Sequence, residues 1–170
     1  MVIRKAEAED WESIYAIVQQ AFERAEHTDG NEQDLVLLLK KSHAFIPALS
    51  LVSEADGKIV GYILFTKAAV GTTAVLALAP LAVLPEYQKR GIGTALIKEG
   101  HRIASELGYG YSVVLGSEKY YPRMGYLPAE QLGIKPPFAV PSENFMACRL
   151  QSNAPGICGI MKYAKEFGID

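Results

Sequence analysis

The residues best placed to do chemistry lie in one run, Gln88-Lys89-Arg90-Gly91-Ile92-Gly93-Thr94, which follows the apolar stretch Ala74–Leu84 after Pro85-Glu86-Tyr87. A buried strand ends there, a short basic loop follows, and two glycines open a helix. Free backbone N–H groups at a helix start, together with the helix dipole, bind anions. Glycine removes the side chain that would block the approach of a phosphate. Lys89 and Arg90 add positive charge beside it. The spacing therefore describes a pyrophosphate cradle. A dinucleotide-binding fingerprint is disfavoured, because its third glycine would fall at Leu96 and the residues about twenty further on are Val113 and Val114, not an acid. A Walker loop lacks its Gly-Lys-Ser/Thr. A plain glycine-rich turn before an amphipathic helix remains open on these residues alone.

A second group is Tyr120-Tyr121-Pro122-Arg123-Met124-Gly125-Tyr126. The polar loop 24–31 between two amphipathic segments holds Glu26, His27 and Asp29, and Glu32 follows it. For all of these acids a solvated surface position is the competing reading. His27, His43 and His101 show no metal-ligand spacing, and His101 and Arg102 are expected at the surface. Cys148 alternates within an apolar strand and reads as a buried, inert thiol rather than a nucleophile.

These residues need a scaffold, and the chain supplies one. Val2–Lys5 reads as a strand. Asp10 is placed to cap a helix carrying Trp11, Ile14, Tyr15, Val18, Ala21 and Phe22, and a second helix holds Leu35, Val36, Leu38 and Leu39. Two apolar runs flank Asp56-Gly57, a strong hairpin signal. Gly91–Leu107 forms a long helix with Ile92, Leu96, Ile103 and Leu107 on one face, ending before Gly108. Ser112–Leu115 is a short buried strand, and a helical turn covers Glu118–Met124. From Gln131 the chain is proline-rich and irregular, except for a strand over Asn144–Leu150. The order predicts a mixed α+β single domain, residues 1–170.

Composition bounds the rest. The 170 residues carry 17 Lys+Arg and 19 Asp+Glu, a net charge of −2, with 49% hydrophobic and 21% charged residues. That balance suits one core and argues against a dedicated nucleic-acid binder. Two cysteines are too few for a disulfide scaffold and fit a reducing cytoplasm. The uncharged stretch Ala68–Pro85 is about the minimum for a membrane span. Gly71-Thr72-Thr73 and Pro80 interrupt it, so two strands joined by a turn are expected, with no secretion signal and a cytoplasmic, soluble protein.

On the motif Gln88-Lys89-Arg90-Gly91-Ile92-Gly93, and on Tyr120–Tyr126, the chain resembles the GCN5-related N-acetyltransferase superfamily, with its Gln/Arg-x-x-Gly-x-Gly/Ala and Phe/Tyr-Tyr-x-x-x-Gly-Phe/Tyr signatures. Ser50-Leu51-Val52, Ile59-Val60-Gly61, Pro80-Leu81-Ala82-Val83, Phe138-x-Val140-Pro141 and Phe145-Met146 further resemble a bacterial subgroup with an extended C-terminal arm, here about residues 131–170. The resemblance covers roughly residues 1 to 165. It implies a three-layer α/β arrangement, a central mixed sheet splayed between the strand ending at Val83 and Ser112–Leu115, with acetyl-CoA in the wedge as cosubstrate. Pantetheine would pair with Leu81, Ala82 and Val83, and the pyrophosphate would sit on Gln88, Lys89, Arg90, Gly91, Ile92, Gly93 and Thr94. Pro80, which lacks an N–H, fits a bulge where the strand turns to the cofactor.

The implied activity is acetyl transfer to a primary amine, with Tyr121 as general acid and Tyr120 packing beside it. The strand Ala74–Val83 carries no acid where many members place their base. Glu32 is therefore the candidate base, beside Glu26, His27, Asp29 and Glu118. The implied acceptor is a small-molecule or peptide amine, with no nucleic acid, no membrane and no metal, in a monomer or homodimer. A non-catalytic acyl-CoA-binding module, or transfer of a longer acyl group, stays open.

Overall fold

The computed structural model describes residues 1–23, 25 and 30–169. Among these residues nine strands and three α-helices follow in the order β1 (Val2–Lys5), α1 (Trp11–Phe22), α2 (Glu32–Lys40), β2 (Phe45–Ala55), β3 (Lys58–Val70), β4 (Thr73–Val83), α3 (Ile92–Glu106), β5 (Tyr111–Leu115), β6 (Leu127–Pro128), β7 (Ile134–Lys135), β8 (Phe145–Arg149) and β9 (Gly159–Lys162). The sheet runs β1-β2-β3-β4-β5-β8-β6, and β9 joins the far end of β3 and pairs β7. The β4–β5 pair is parallel and the other pairs along that run are antiparallel. The architecture is the expected mixed α+β one.

The hairpin signal is realised by Asp56 and Gly57, both at positive φ, between Ala55 and Lys58. That is the backbone a two-residue hairpin turn requires. The uncharged stretch Ala68–Pro85 is the end of β3, a turn at Gly71-Thr72, and β4. Among the described residues no helix is long and apolar enough to cross a membrane.

Alternation along β3 assigns the helices to faces. Trp11 of α1 rests its ring edge on Tyr62 at 6.2 Å. On the odd-numbered face, α3 lies so close that a methyl at Gly100 would run into the Phe65 ring. A methyl at Gly61 would lie 3.2 Å from Leu96. Helices thus cover both faces of the sheet, giving three layers.

Several sequence expectations are corrected. Asp10 makes no side-chain cap to α1. Its carboxylate instead accepts from Arg4 at 2.7 Å and from the Glu7 N–H at 2.7 Å, within a group that also ties Arg4 to Glu54. The buried face of α3 is Ile92, Leu96, Ile97, Gly100 and Ala104, while Leu107, beyond the helix end, is 50% exposed. After Gln131 the chain contains two short strands besides β8, namely β7 and β9, with β6 just before it.

His101 is also not a surface residue. Its Nε2 lies 2.9 Å from the hydroxyl of Tyr126, which lies 2.8 Å from Ser112 Oγ. Its ring packs between Tyr126 at 5.4 Å and Phe65 at 6.1 Å. The histidine satisfies a buried tyrosine at the cost of its own desolvation, which pushes its pKa down from 6.5 to about 4.

The sign follows from linkage. Between pH 6.5 and 4 the unfolded chain binds a proton that the folded chain does not. Stability should therefore fall across that window, by a ceiling of about 3 kcal/mol. Urea titrations at stepped pH should show this slope, and His101→Gln should flatten it. An unchanged slope in the variant would exclude His101 as its source.

Candidate active site

The site begins where two parallel strands part. β4 pairs β5 only at Leu76, Ala77 and Leu78, opposite Ser112, Val113 and Val114. Against β3 the register slips in the same place, with Leu78 opposite Phe65 and Leu81 opposite Ile63. Ala79 and Pro80 are therefore a bulge. Beyond it β4 keeps β3 on one edge and has no β5 partner on the other, so alternate backbone groups of Leu81–Val83 face an open wedge.

The chain then makes a single 3-10 turn, Pro85–Tyr87, before entering α3. Tyr87 is buried and donates to Asp56 in the hairpin turn at 2.9 Å, anchoring the loop to the sheet. The Arg90 guanidinium stacks 5.0 Å from its ring. Lys89 sits at φ 64 and Gly91 at φ 82. A lysine in the left-handed region costs energy, and such strain gathers at sites that bind ligands. In α3 the first intrahelical bond runs from Ala95 N–H to Gly91 C=O, so the preceding amides keep free donors.

A cavity of about 550 Å³ opens here. One wall is Leu81 and Val83 of β4, continuing through Gln88, Lys89, Gly91, Ile92, Gly93 and Thr94. The facing wall is Tyr120 and Arg123. Of the expected cofactor residues, Ala82 and Arg90 do not line it. Ala82 is buried beside its β3 partner Tyr62, and Arg90 lies over Tyr87. Gln88 donates from Nε2 to the Val83 carbonyl at 3.0 Å.

Polarity matches shape. Among the described residues no carboxylate lines the cavity, and Lys89, Arg90 and Arg123 have no ion-pair partner. Arg4 and Arg102, by contrast, are neutralised by neighbouring acids. Three unpaired cations therefore stand where helix amides are also free. In the sequence Arg123 carries no signal of its own, being one arginine inside a tyrosine-rich motif.

Tyr120 lines the cavity and Tyr121 does not. Tyr121 opens the 3-10 turn Tyr121–Met124 and stands edge-on between Tyr120 at 5.1 Å and Tyr126 at 5.6 Å. It presses on Gly116, just after β5, so closely that a side chain there would collide with its ring. Burial raises its pKa above 10, which keeps the phenol protonated at neutral pH. Tyr120 is not simple packing, because its hydroxyl faces the cavity, 3.2 Å from Thr94 Oγ1.

Glu32 heads α2, half-buried, and is not among the cavity walls. Glu26, His27 and Asp29 lie outside the described residues. Glu118 is exposed and accepts from Asn144 Nδ2 at 2.8 Å. Cys148 is buried, and desolvation pushes its thiol up to about 11, so it is a poor nucleophile; Cys158 is exposed. Among the described residues no cluster of His, Cys, Asp or Glu could hold a metal.

Gly91 yields a direct check. It has open space around it but a left-handed backbone. Gly91→Ala should lower stability by about 1 kcal/mol through backbone strain alone, read as a shift in urea midpoint. A neutral outcome would show that the loop can reach the same place with negative φ.

Comparison with known proteins agrees with this geometry. The acetyltransferase (GNAT) family model matches residues 11–126. The chain is 40% identical over 126 residues to the uncharacterized N-acetyltransferase YjhQ of Escherichia coli, covering 71% of this chain and 70% of that one. It is 27% identical over 170 residues to the uncharacterized N-acetyltransferase YhbS of the same species, covering 98% of each. The crystal structure of YhbS in complex with CoA has a TM-score of 0.88 at 28% identity, over 98% of this chain and 91% of that one. A GNAT family acetyltransferase from Brucella melitensis in complex with acetyl-CoA has a TM-score of 0.81 at 28% identity, over 98% and 97%. With the splayed strands, the glycine-opened helix and this match over more than half its length, the chain belongs to the acetyltransferase (GNAT) family.

Proposed function

We propose that this protein is an acetyl-CoA-dependent N-acetyltransferase that acetylates a primary amine by direct attack within a ternary complex. The observation that carries the reading is the cavity at the start of α3, where unpaired cations, free helix amides and an open strand edge converge. CoA and acetyl-CoA bound to the two relatives support the same ligand here.

The residues present fit that ligand. The amides and Lys89 suit a pyrophosphate. A methyl at Gly93 would stand 2.8 Å from the Tyr120 hydroxyl, so a side chain there would fill the cradle. Leu81 and Val83 offer backbone groups to an extended chain carrying amides, as an added strand does. When bound, acetyl-CoA supplies a thioester carbonyl and a thiol leaving group.

The protein's task is then to deliver a neutral amine, hold it in line and donate to sulfur as charge develops there. Tyr121 is assigned the donor role. Its burial makes it a reluctant acid, so it acts in concert, giving its proton to sulfur while regaining one from the nitrogen that has become acidic on attack. The net change is one N–H proton moved to sulfur. Glu32 is retained as the candidate base, working through water, since among the described residues no carboxylate lines the cavity. The missing carboxylate also favours a second reading, a non-catalytic acyl-CoA-binding module, which predicts tight binding with no turnover on any amine.

Two measurements test the assignment. Tyr121→Phe should lower turnover about 100-fold, the scale of losing a general acid, with little change in KM for acetyl-CoA. Full turnover in that variant would remove the donor role. Gly93→Val should weaken CoA binding at least ten-fold by calorimetry, and unchanged affinity would place the pyrophosphate elsewhere.

A further inference from the structure

We propose that Tyr120 is a cofactor-binding residue whose hydroxyl, together with that of Thr94, donates to the pyrophosphate from the wall opposite the glycine loop. The inference rests on the reading that acetyl-CoA occupies the 550 Å³ cavity.

The geometry is specific. Tyr120 belongs to the segment that follows β5, whereas Thr94 belongs to the first turn of α3, so their 3.2 Å contact spans the mouth of the wedge. That separation is long for a hydroxyl pair, whose usual distance is about 2.7–2.8 Å. Thr94 Oγ1 has one other contact, the Met124 sulfur at 4.0 Å, a weak acceptor. Two hydroxyls sharing one hydrogen bond leave one O–H proton without a good acceptor. A phosphate oxygen placed on the Gly93 and Thr94 amides takes both protons at once, in charge-assisted bonds stronger than the one they replace.

Gly93 supplies the second observation. A methyl there would lie 2.8 Å from Tyr120 Oη and 3.5 Å from Leu81 Cδ2, so the glycine keeps clear the space between the hydroxyl, the helix amides and β4. The Tyr120 ring is braced edge-on by Tyr121 at 5.1 Å, which restricts the hydroxyl to this side. Among the described residues no carboxylate in the walls competes for the two donors.

A consequence concerns Tyr121. Phosphate bridging Tyr120 to Thr94 fastens the turn Tyr121–Met124 to α3, so filling the cradle fixes the segment that carries the proposed donor to sulfur.

The test is calorimetry of the wild type and Tyr120→Phe with CoA, dephospho-CoA and pantetheine, with amide hydrogen exchange across residues 117–125. Tyr120→Phe should bind CoA and dephospho-CoA about ten-fold more weakly, as for a lost hydrogen bond to a charged group, and pantetheine as the wild type does. Residues 117–125 should gain protection with CoA in the wild type and less at saturating CoA in the variant. Thr94→Val should show the same ligand pattern, and the two losses should combine to less than their product, so the proposal survives if either variant folds poorly. Unchanged CoA affinity overturns it. An equal loss with pantetheine assigns the hydroxyl to another part of the ligand and overturns it, as does a loss confined to CoA, which would mark the 3′-phosphate. A wild type that binds none of the three overturns the cofactor reading itself.

Discussion

The structure turns on β4 giving up its neighbour at Ala79. Up to Leu78 the strand is an interior member of the sheet, bonded to β3 and β5. From there it holds β3 alone, and its other edge faces a wedge. An edge with free N–H and C=O groups is costly to bury and invites pairing with another chain. This protein keeps that edge inside a cavity, and Gln88 from the following loop satisfies one of its carbonyls, that of Val83. Pro80 marks the change, since a residue without an N–H cannot continue a ladder on both sides. The cavity, the loop and the start of α3 all lie downstream of that one interruption.

What surrounds the wedge is held by contacts that do not take part in the chemistry. Tyr87 fastens the loop to Asp56, so the hairpin turn between β2 and β3 sets where the cradle stands. Gly61 and Gly100 let α3 approach the sheet closely enough to aim its first turn at the open edge. On the far wall, Tyr126 stands behind Tyr121, with its hydroxyl between His101 and Ser112. A phenylalanine would fill that space, but the tyrosine adds directional bonds from α3 and β5, which register the two walls against each other.

Charge is separated in a way that fits an anionic ligand. The cations at the cavity lack acid partners, while Arg4 and Arg102 elsewhere are paired. Association with a multiply charged cosubstrate is favoured by such a field even though the whole chain is slightly acidic. The proton chemistry is less provided for. With no carboxylate lining the cavity among the described residues, the amine's own ionisation weighs heavily on the pH dependence of any transfer.

Much was legible in the residues themselves. Asp56-Gly57 announced a hairpin because only certain residues tolerate its backbone, and Gly91-x-Gly93 after an apolar strand announced an anion cradle because the requirement is local. Local rules could not place His101, Arg123 or the Tyr120 hydroxyl. His101 lies in a helix whose sequence offers it a solvent face, and it turns inward, half-buried, onto the hydroxyl of Tyr126, 25 residues away. Tyr120 and Thr94, 26 residues apart, meet only because β5 and α3 close the wedge from opposite sides. Asp10 left its expected cap for Arg4 because β1 brings a guanidinium within reach, and a charged donor outcompetes a helix-end amide. Short-range backbone preference is written in the sequence. Which polar groups find one another is decided by packing, since a buried donor must be satisfied by whatever the fold brings near it.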